Sequence, residues 1–238
     1  MPMRKLFALS IVMVFAATAS ADFFEDFESY ADQAAFDAAW GTGQFLDQAK
    51  GYMSDQSTTN KPGPASAVSM ALGEEMVADD VTPLVFECMV DVDVLNWWTR
   101  SWVRLEGRNA GGDLEDLVQL GFNSGNDQTK YHGRGGNVPL WGWYDIGAGT
   151  GNPVFDRTTD WRNLKAIIYD TTIEFYVDDV LGTTVGKASG ATFDTVAIGT
   201  AYSSQEQVWF DDIAVYNIPE PGALALLVLG GLAVLRRR

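Results

Sequence analysis

Leu84-Val85-Phe86-Glu87-Cys88-Met89-Val90-Asp91-Val92-Asp93-Val94 decides how this chain folds. Leu84, Phe86, Cys88, Val90, Val92 and Val94 hold every second position; Glu87, Asp91 and Asp93 fall between them, with Val85 and Met89. Side chains of a strand alternate between two faces, so the run reads as a strand with one buried and one wet face. A sheet wet on one side is normally antiparallel, because parallel sheets are covered on both. Cys88 stands inside the apolar row and is the chain's single cysteine, so it forms no internal bridge and reads as a buried, inert thiol.

Working outward, Ser66 to Leu72 reads as another strand, and Phe23 to Tyr30 interleaves aromatics with acids in near-alternation. Ala31 to Trp40 is rich in alanine, with Asp32 placed as a possible N-cap, which predicts one short helix or turn. Gly43 to Pro64 has the Gln, Ser, Thr, Asn, Gly and Pro of a loop. Beyond the central strand, Trp98 to Glu106 and the alternating Val118, Leu120 and Phe122 flank a glycine-rich turn at Gly107 to Asp113. Asn123 to Asn137 is polar and glycine-rich; it reads as a loop and contains His132, the one histidine. Pro139 to Ile146 gathers Trp141, Trp143 and Tyr144. Trp161 to Val180 reads as a hairpin, Leu164, Ala166 and Ile168 against Ile173, Phe175 and Val177, turning at Asp170-Thr171-Thr172. Asp178-Asp179 starts a further turn, and Thr195 to Thr200 and Val208 to Tyr216 close the series. About ten short strands with almost no helix give an all-β chain: an antiparallel β-sandwich or jelly roll. No repeat or linker divides residues 22–217, and a body of that size folds without disulfides.

The two ends are different in kind. Arg4 and Lys5 precede an apolar stretch from Leu6 to Ala17, and Ala19-Ser20-Ala21 offers a small-x-small cleavage site, so residues 1–21 read as a secretory signal peptide. At the other end, Pro219-Glu220-Pro221 stands before an apolar run, Ala223 to Leu235, and Arg236-Arg237-Arg238. As a helix this run would rise about 20 Å, short of the roughly 30 Å hydrocarbon core. The arginines keep their end on the cytoplasmic side. The order of these parts resembles the PEP-CTERM sorting tail of bacterial exported proteins. That resemblance implies residues 218–238 as a short apolar helix that anchors the chain transiently in the inner membrane, recognition and removal by an exosortase-type protease, and a destination at the cell surface or in the extracellular matrix.

A second resemblance spans the body between. Trp161-Arg162-Asn163-Leu164-Lys165-Ala166-Ile167-Ile168-Tyr169 followed by Ile173-Glu174-Phe175-Tyr176-Val177-Asp178-Asp179 looks like the late hairpin of concanavalin A-like lectin/glucanase sandwiches, the laminin-G-like domains among them. The last strand, Val208-Trp209-Phe210-Asp211-Asp212-Ile213-Ala214-Val215, and the opening Asp26-Phe27-Glu28-Ser29-Tyr30 are similar to the same group. Asp179 departs from the pattern, which usually has glycine there.

Composition narrows the partners. The chain has 16 Lys+Arg and 32 Asp+Glu; the end segments hold five of the bases and one of the acids, which leaves the body at −20. Such a charge repels nucleic acid and anionic membrane surfaces and is compatible with divalent cations and neutral polymers.

Two constellations are candidates for function. Trp98, Trp102, Trp141, Trp143 and Tyr144, with Trp97, offer flat faces on which sugar rings stack, and Arg100, Arg104, Asn137 and Asp145 are the nearest hydrogen-bonding groups. The same tryptophans also suit a core. The resemblance adds a Ca²⁺ clip where the first and last strands meet, using Glu28, Asp211 and Asp212, with Asp26 beside them; a hard cation takes six to eight oxygens at about 2.4 Å. Edge-strand acids facing water fit the same letters. Catalysis finds little: no Glu-x-Asp-x-x-Glu run of the related glucanases occurs, Asp91 and Asp93 read as a solvated face, and His132 has no nucleophile elbow near it. The expectation is a non-catalytic, exported, polysaccharide-binding protein; a glycan-cleaving enzyme on the same fold and a purely structural matrix protein are the alternatives.

Overall fold

A computed structural model of the chain describes residues 23–54, 56–60, 66–93, 99–123, 125–137, 142–200 and 207–218. The signal segment with Ala19 and Ala21, Val94, Trp97, Trp98, Trp141 and the tail from Pro219 onward lie outside these residues. The elements run β1 (Phe23–Glu25), α1 (Gln33–Trp40), β2 (Phe45–Asp47), β3 (Ser57–Asn60), β4 (Ser66–Val77), β5 (Leu84–Val92), β6 (Ser101–Arg108) and β7 (Leu114–Gly121). They continue with β8 (His132–Asn137), β9 (Gly142–Asp145), β10 (Arg162–Ile168), β11 (Thr172–Val177), β12 (Val180–Gly186), β13 (Thr192–Thr200) and β14 (Val208–Asn217).

The strands form two antiparallel sheets. One has the order β12-β11-β10-β5-β14-β3-β2, with β1 also on β14; the other has β4-β13-β6-β7-β8-β9. Phe86, Phe175, Phe210, Leu105, Leu120 and Ile198 fill the space between them, fully buried. Helix α1 starts on Asp32, whose Oδ1 accepts the Ala35 amide at 2.9 Å, and it buries Phe36 and Trp40 beside β2 and β4, an edge strand of each sheet.

β5 lies between β10 and β14, and its inner row is the one expected: Leu84, Phe86, Cys88, Val90 and Val92 all face the core. Its reverse face is not wet. Asp91 is 5 % exposed and pairs with Lys50 at 2.8 Å. The Lys50 ammonium sits 3.5 Å above the Trp209 ring, and the Trp209 indole N–H donates to Asp47. The segment from Gly43 to Pro64 is the cause: it contributes β2 and β3, extends the sheet and lays Lys50 across it.

Between β11 and β12 the turn residues Asp178 and Asp179 have φ of 47° and 63°. Two left-handed residues in succession make the type I′ hairpin, whose twist matches the strands and which glycine favours. Here the aspartates earn their place by pairing, Asp178 with Arg162 and Asp179 with Lys165. The Lys165 pair is exposed on the Asp179 side and contributes little. Asp179→Gly should therefore raise stability by about 0.5 kcal/mol in thermal or urea unfolding. A melting temperature below that of the wild type would show that the ion pair outweighs the strain.

β8 corrects the reading of residues 123–137 as a loop. Its sequence, His132-Gly133-Arg134-Gly135-Gly136-Asn137, looks like a flexible linker. In the sheet, the inward positions Gly133 and Gly135 stand against β11: a Cβ on Gly133 would lie 2.5 Å from Phe175 Cδ1, and one on Gly135 2.6 Å from Ile173 Cδ1. The glycines are there because the opposite sheet comes too close for any side chain. His132 is accordingly a strand residue, 1 % exposed.

Candidate functional site

The outward face of the six-stranded sheet collects the chemistry. Val103 and Leu105 of β6 point into the core, so Trp102, Arg104 and Glu106 point out. Register then places the neighbours. One row across the sheet reads Ser69, Ala197, Arg104, Gln119, Arg134, Trp143; the next reads Ala67, Gly199, Trp102, Gly121, His132, Asp145. Small residues on β4 and β13 leave one end of the face shallow, and Trp102 lies over Gly199, where a Cβ would meet its Cζ2 at 2.7 Å.

The polar groups on this face are held in place. Arg104 stacks on Trp102, its Cζ 3.9 Å from the ring centroid, and its Nε is 2.8 Å from Glu106 Oε1. Glu106, 2 % exposed, also pairs with Arg108. Arg134 lies over Trp143 at 5.4 Å. Burial lowers the pKa of both Arg104 and Arg134, and for Arg104 the nearby Arg134 and Arg108 charges add to it while Glu106 opposes. Gln119 sits between the two arginines, 1 % exposed, and its Nε2 has no hydrogen-bond partner among the described residues. His132 Nδ1 accepts the Asn123 amide at 3.2 Å. Its proton is therefore on Nε2, 3.1 Å from Asp145 Oδ1. Burial outweighs the Asp145 charge and pulls the imidazole pKa down to about 4.

The sequence candidates divide on this geometry. Trp102 and Trp143 share the face, three strands apart, which is ~14 Å at the usual spacing. Trp102 is 6 % exposed and its ring is covered by Arg104, whose guanidinium it props. Trp143 is half-buried on the edge strand β9. Tyr144 turns the other way and packs on the core. Arg104 and Asp145 lie on the face; Arg100 precedes β6, and Asn137 ends β8 opposite Asp116. Gln119, Arg134 and His132 were missed. The alternation of Leu117, Gln119 and Gly121 about the inward Val118 and Leu120 could have found the first; the glycines of β8 hid the other two.

The acids for the calcium clip fall in two places. Asp211 is fully buried; its Oδ2 accepts from the Tyr52 amide at 2.7 Å and from Ser54 Oγ at 3.1 Å, and its Oδ1 accepts the Asp212 amide at 2.9 Å. Burial pushes its carboxyl up to about 7. Glu28 Oε1 accepts the Gln56 amide at 2.7 Å. Glu28 and Asp211 thus reach the same 52–56 segment, where Gln56 Oε1 is buried with no hydrogen-bond partner among the described residues. Asp212 does not join them: at φ 45°, in the β14 bulge, it faces Asp26 and Glu87, and burial and those two charges raise its pKa. Among the described residues no three His, Cys, Asp or Glu side chains form a metal-binding group. The oxygen-only set of Glu28, Asp211, Ser54 and Gln56 fits a hard cation in chemistry.

No protein-family model and no curated protein matches this sequence. Solved structures do match. The cellulose induced protein Cip1 superposes with a TM-score of 0.56 at 16 % identity, covering 81 % of this chain and 96 % of that one. The globular domain of T. cruzi calreticulin gives 0.56 at 12 %, with 90 % and 95 % covered. The carbohydrate recognition domain of Emp47p gives 0.51 at 11 %, with 83 % and 96 % covered. The chain has the concanavalin A-like jelly-roll fold. At these identities the likeness is one of fold, and in this jelly roll the six-stranded sheet presents Arg104, Gln119, Arg134 and Trp143 as one row.

Proposed function

We propose that this is a non-catalytic polysaccharide-binding protein, exported by its signal segment and sorted to the cell surface or extracellular matrix through its Pro219-Glu220-Pro221 tail. The observation that carries the binding role is the Arg104, Gln119, Arg134, Trp143 row: one aromatic face beside convergent hydrogen-bond donors, the composition of a sugar site. The fold shared with a carbohydrate recognition domain supports it. Binding rather than cleavage is supported by the acids. Glu106 is held by two arginines and Asp145 by His132. They lie on β6 and β9, strands ~14 Å apart at the usual spacing, whereas glycosidic bond cleavage takes two carboxyls roughly 5–9.5 Å apart.

The test uses protein recovered from the exterior of the cells that make it. Its intact mass should correspond to a chain starting at Asp22 and lacking the residues after the Pro-Glu-Pro motif. It should be retarded in gels containing acidic or neutral polysaccharide, and Trp143→Ala should weaken that retardation at least tenfold. Retention of residues 1–21 and 236–238 overturns the sorting reading, and unretarded migration in every gel overturns the binding one.

A structural Ca²⁺ held by Glu28 and Asp211 with Ser54 and Gln56 completes the proposal. The ion would supply a positive charge that keeps Asp211 ionised and ties the 52–56 segment to β14. Excess calcium over EDTA should raise the melting temperature by several degrees, as 100-fold saturation adds about 2.7 kcal/mol. Asp211→Asn should remove that increment, and identical melts with and without EDTA exclude the site.

A further inference from the structure

Charge is distributed against the trend on the Trp143 face. The body between the end segments carries 31 acids and 11 bases, yet this face brings Arg104, Arg108 and Arg134 together with Glu106 and Asp145. Arg104 and Arg108 pair with Glu106, and Arg134 lies over Trp143. Arg104 and Arg134 flank Gln119 in adjacent register. Each guanidinium rests on an indole, which fixes its plane and leaves its fork of N–H donors defined in direction. Bringing the two cations together in a partly buried setting is unfavourable, and burial and mutual repulsion lower the pKa of Arg104. Between them, Gln119 Nε2 is an N–H donor buried without an acceptor among the described residues. A buried donor left without an acceptor is unfavourable, because it has given up water and gained nothing in return. An acceptor carrying negative charge, placed over Gln119 between the two guanidinium groups, would satisfy that donor.

We propose that the ligand is a carboxylate-bearing polysaccharide, a polymer of uronic acid residues or one with uronates at intervals, whose carboxylate sits between Arg104 and Arg134 over Gln119 while the sugar ring lies against Trp143. The inference rests on the polysaccharide-binding reading above and narrows it. A planar carboxylate matches the guanidinium fork in two parallel hydrogen bonds. The −20 charge of the rest of the body repels nucleic acid and polyuronate alike, so single-stranded DNA is the competing polyanion that the test must include.

The experiment is affinity electrophoresis and calorimetry of the full exported protein on alginate, polygalacturonate and hyaluronan. Each is compared with its carboxyl-reduced form, and neutral glucans and single-stranded DNA are run beside them. At least one polyuronate should bind tenfold or more tighter than its reduced form, and the preference should shrink as salt is raised. Arg134→Lys, which keeps the charge and loses the fork, should abolish most of that preference. Gln119→Met should weaken polyuronate binding while leaving the melting temperature unchanged or raised, since it removes a buried unpaired amide; a purely structural glutamine would give a lower melting temperature. Equal binding of native and reduced polymers, or binding of neutral glucans alone, overturns the carboxylate assignment and leaves polysaccharide binding standing. No binding to any glycan overturns both, and DNA binding as tight as polyuronate binding shows a site that reads charge without the sugar.

Discussion

Gly133→Ala should destabilise the protein by about 3 kcal/mol, although it changes one hydrogen to a methyl group in a strand. Propensity argues the other way: glycine in a strand interior is unfavourable by roughly 0.5–1 kcal/mol relative to alanine. The sign of the result therefore decides between local preference and packing. The new Cβ would stand 2.5, 2.6 and 2.7 Å from three ring atoms of Phe175. Phe175 is fully buried in β11, registered between Ala166 of β10 and Thr183 of β12, so its ring is boxed in by its own sheet. Relief requires either an off-rotamer ring or a widening of the gap between the sheets. Urea unfolding of Gly133→Ala, Phe175→Leu and the double variant measures this directly. The two changes should couple, with the double variant more stable than the sum of the single effects predicts. A stabilised Gly133→Ala protein would mean that the two sheets do not approach at β8 as described.

The second large effect is in acid. His132 has an ordinary pKa near 6.5 in the unfolded chain and about 4 in the fold, because burial of the imidazole outweighs the attraction of Asp145 and Asp127. The folded protein then binds fewer protons than the unfolded one between those values. Its stability from this group is complete above pH 6.5 and is lost as pH falls toward 4. By linkage the loss is about 3 kcal/mol. Asn123 donates its backbone N–H to Nδ1, so the added proton on His⁺ would also expel that hydrogen bond. His132→Asn keeps an acceptor for Asn123 and has no titration. Its unfolding free energy should fall less steeply than the wild type's between pH 6.5 and 4, by about that amount, whatever its value at neutral pH. Parallel profiles for the two proteins would contradict a buried, neutral His132.

The outline of the fold was legible because β5, β10, β11 and β14 carry their hydrophobic residues at period two over seven or more positions or in paired runs. Helix α1 was legible because alanines and an N-cap aspartate are local signals. Two kinds of feature were not. Whether the reverse face of β5 is wet depends on what lies over it, and Lys50 and Trp209 stand 41 and 118 residues from Asp91 in the chain. β8 was unreadable because glycine signals flexibility locally and close sheet contact globally, and only Phe175 and Ile173 opposite distinguish the two. The site was half legible for the same reason. Trp102, Arg104, Trp143 and Asp145 stand out by residue type, but that Trp102 supports an arginine, that Tyr144 faces the core and that Gln119 joins the row are facts of register. Asp211 and Asp212 are adjacent letters sent to opposite sides by a bulge that the sequence does not announce.

The pairing of β14 has a consequence for when the protein acquires its shape. β14 is the last strand among the described residues, yet it lies inside its sheet, between β5 and β3, with β1 alongside. A chain emerging from the ribosome holds every other strand before the one that joins them. The larger sheet remains split until synthesis of the domain is over, and its longest-range contacts are the last to be made.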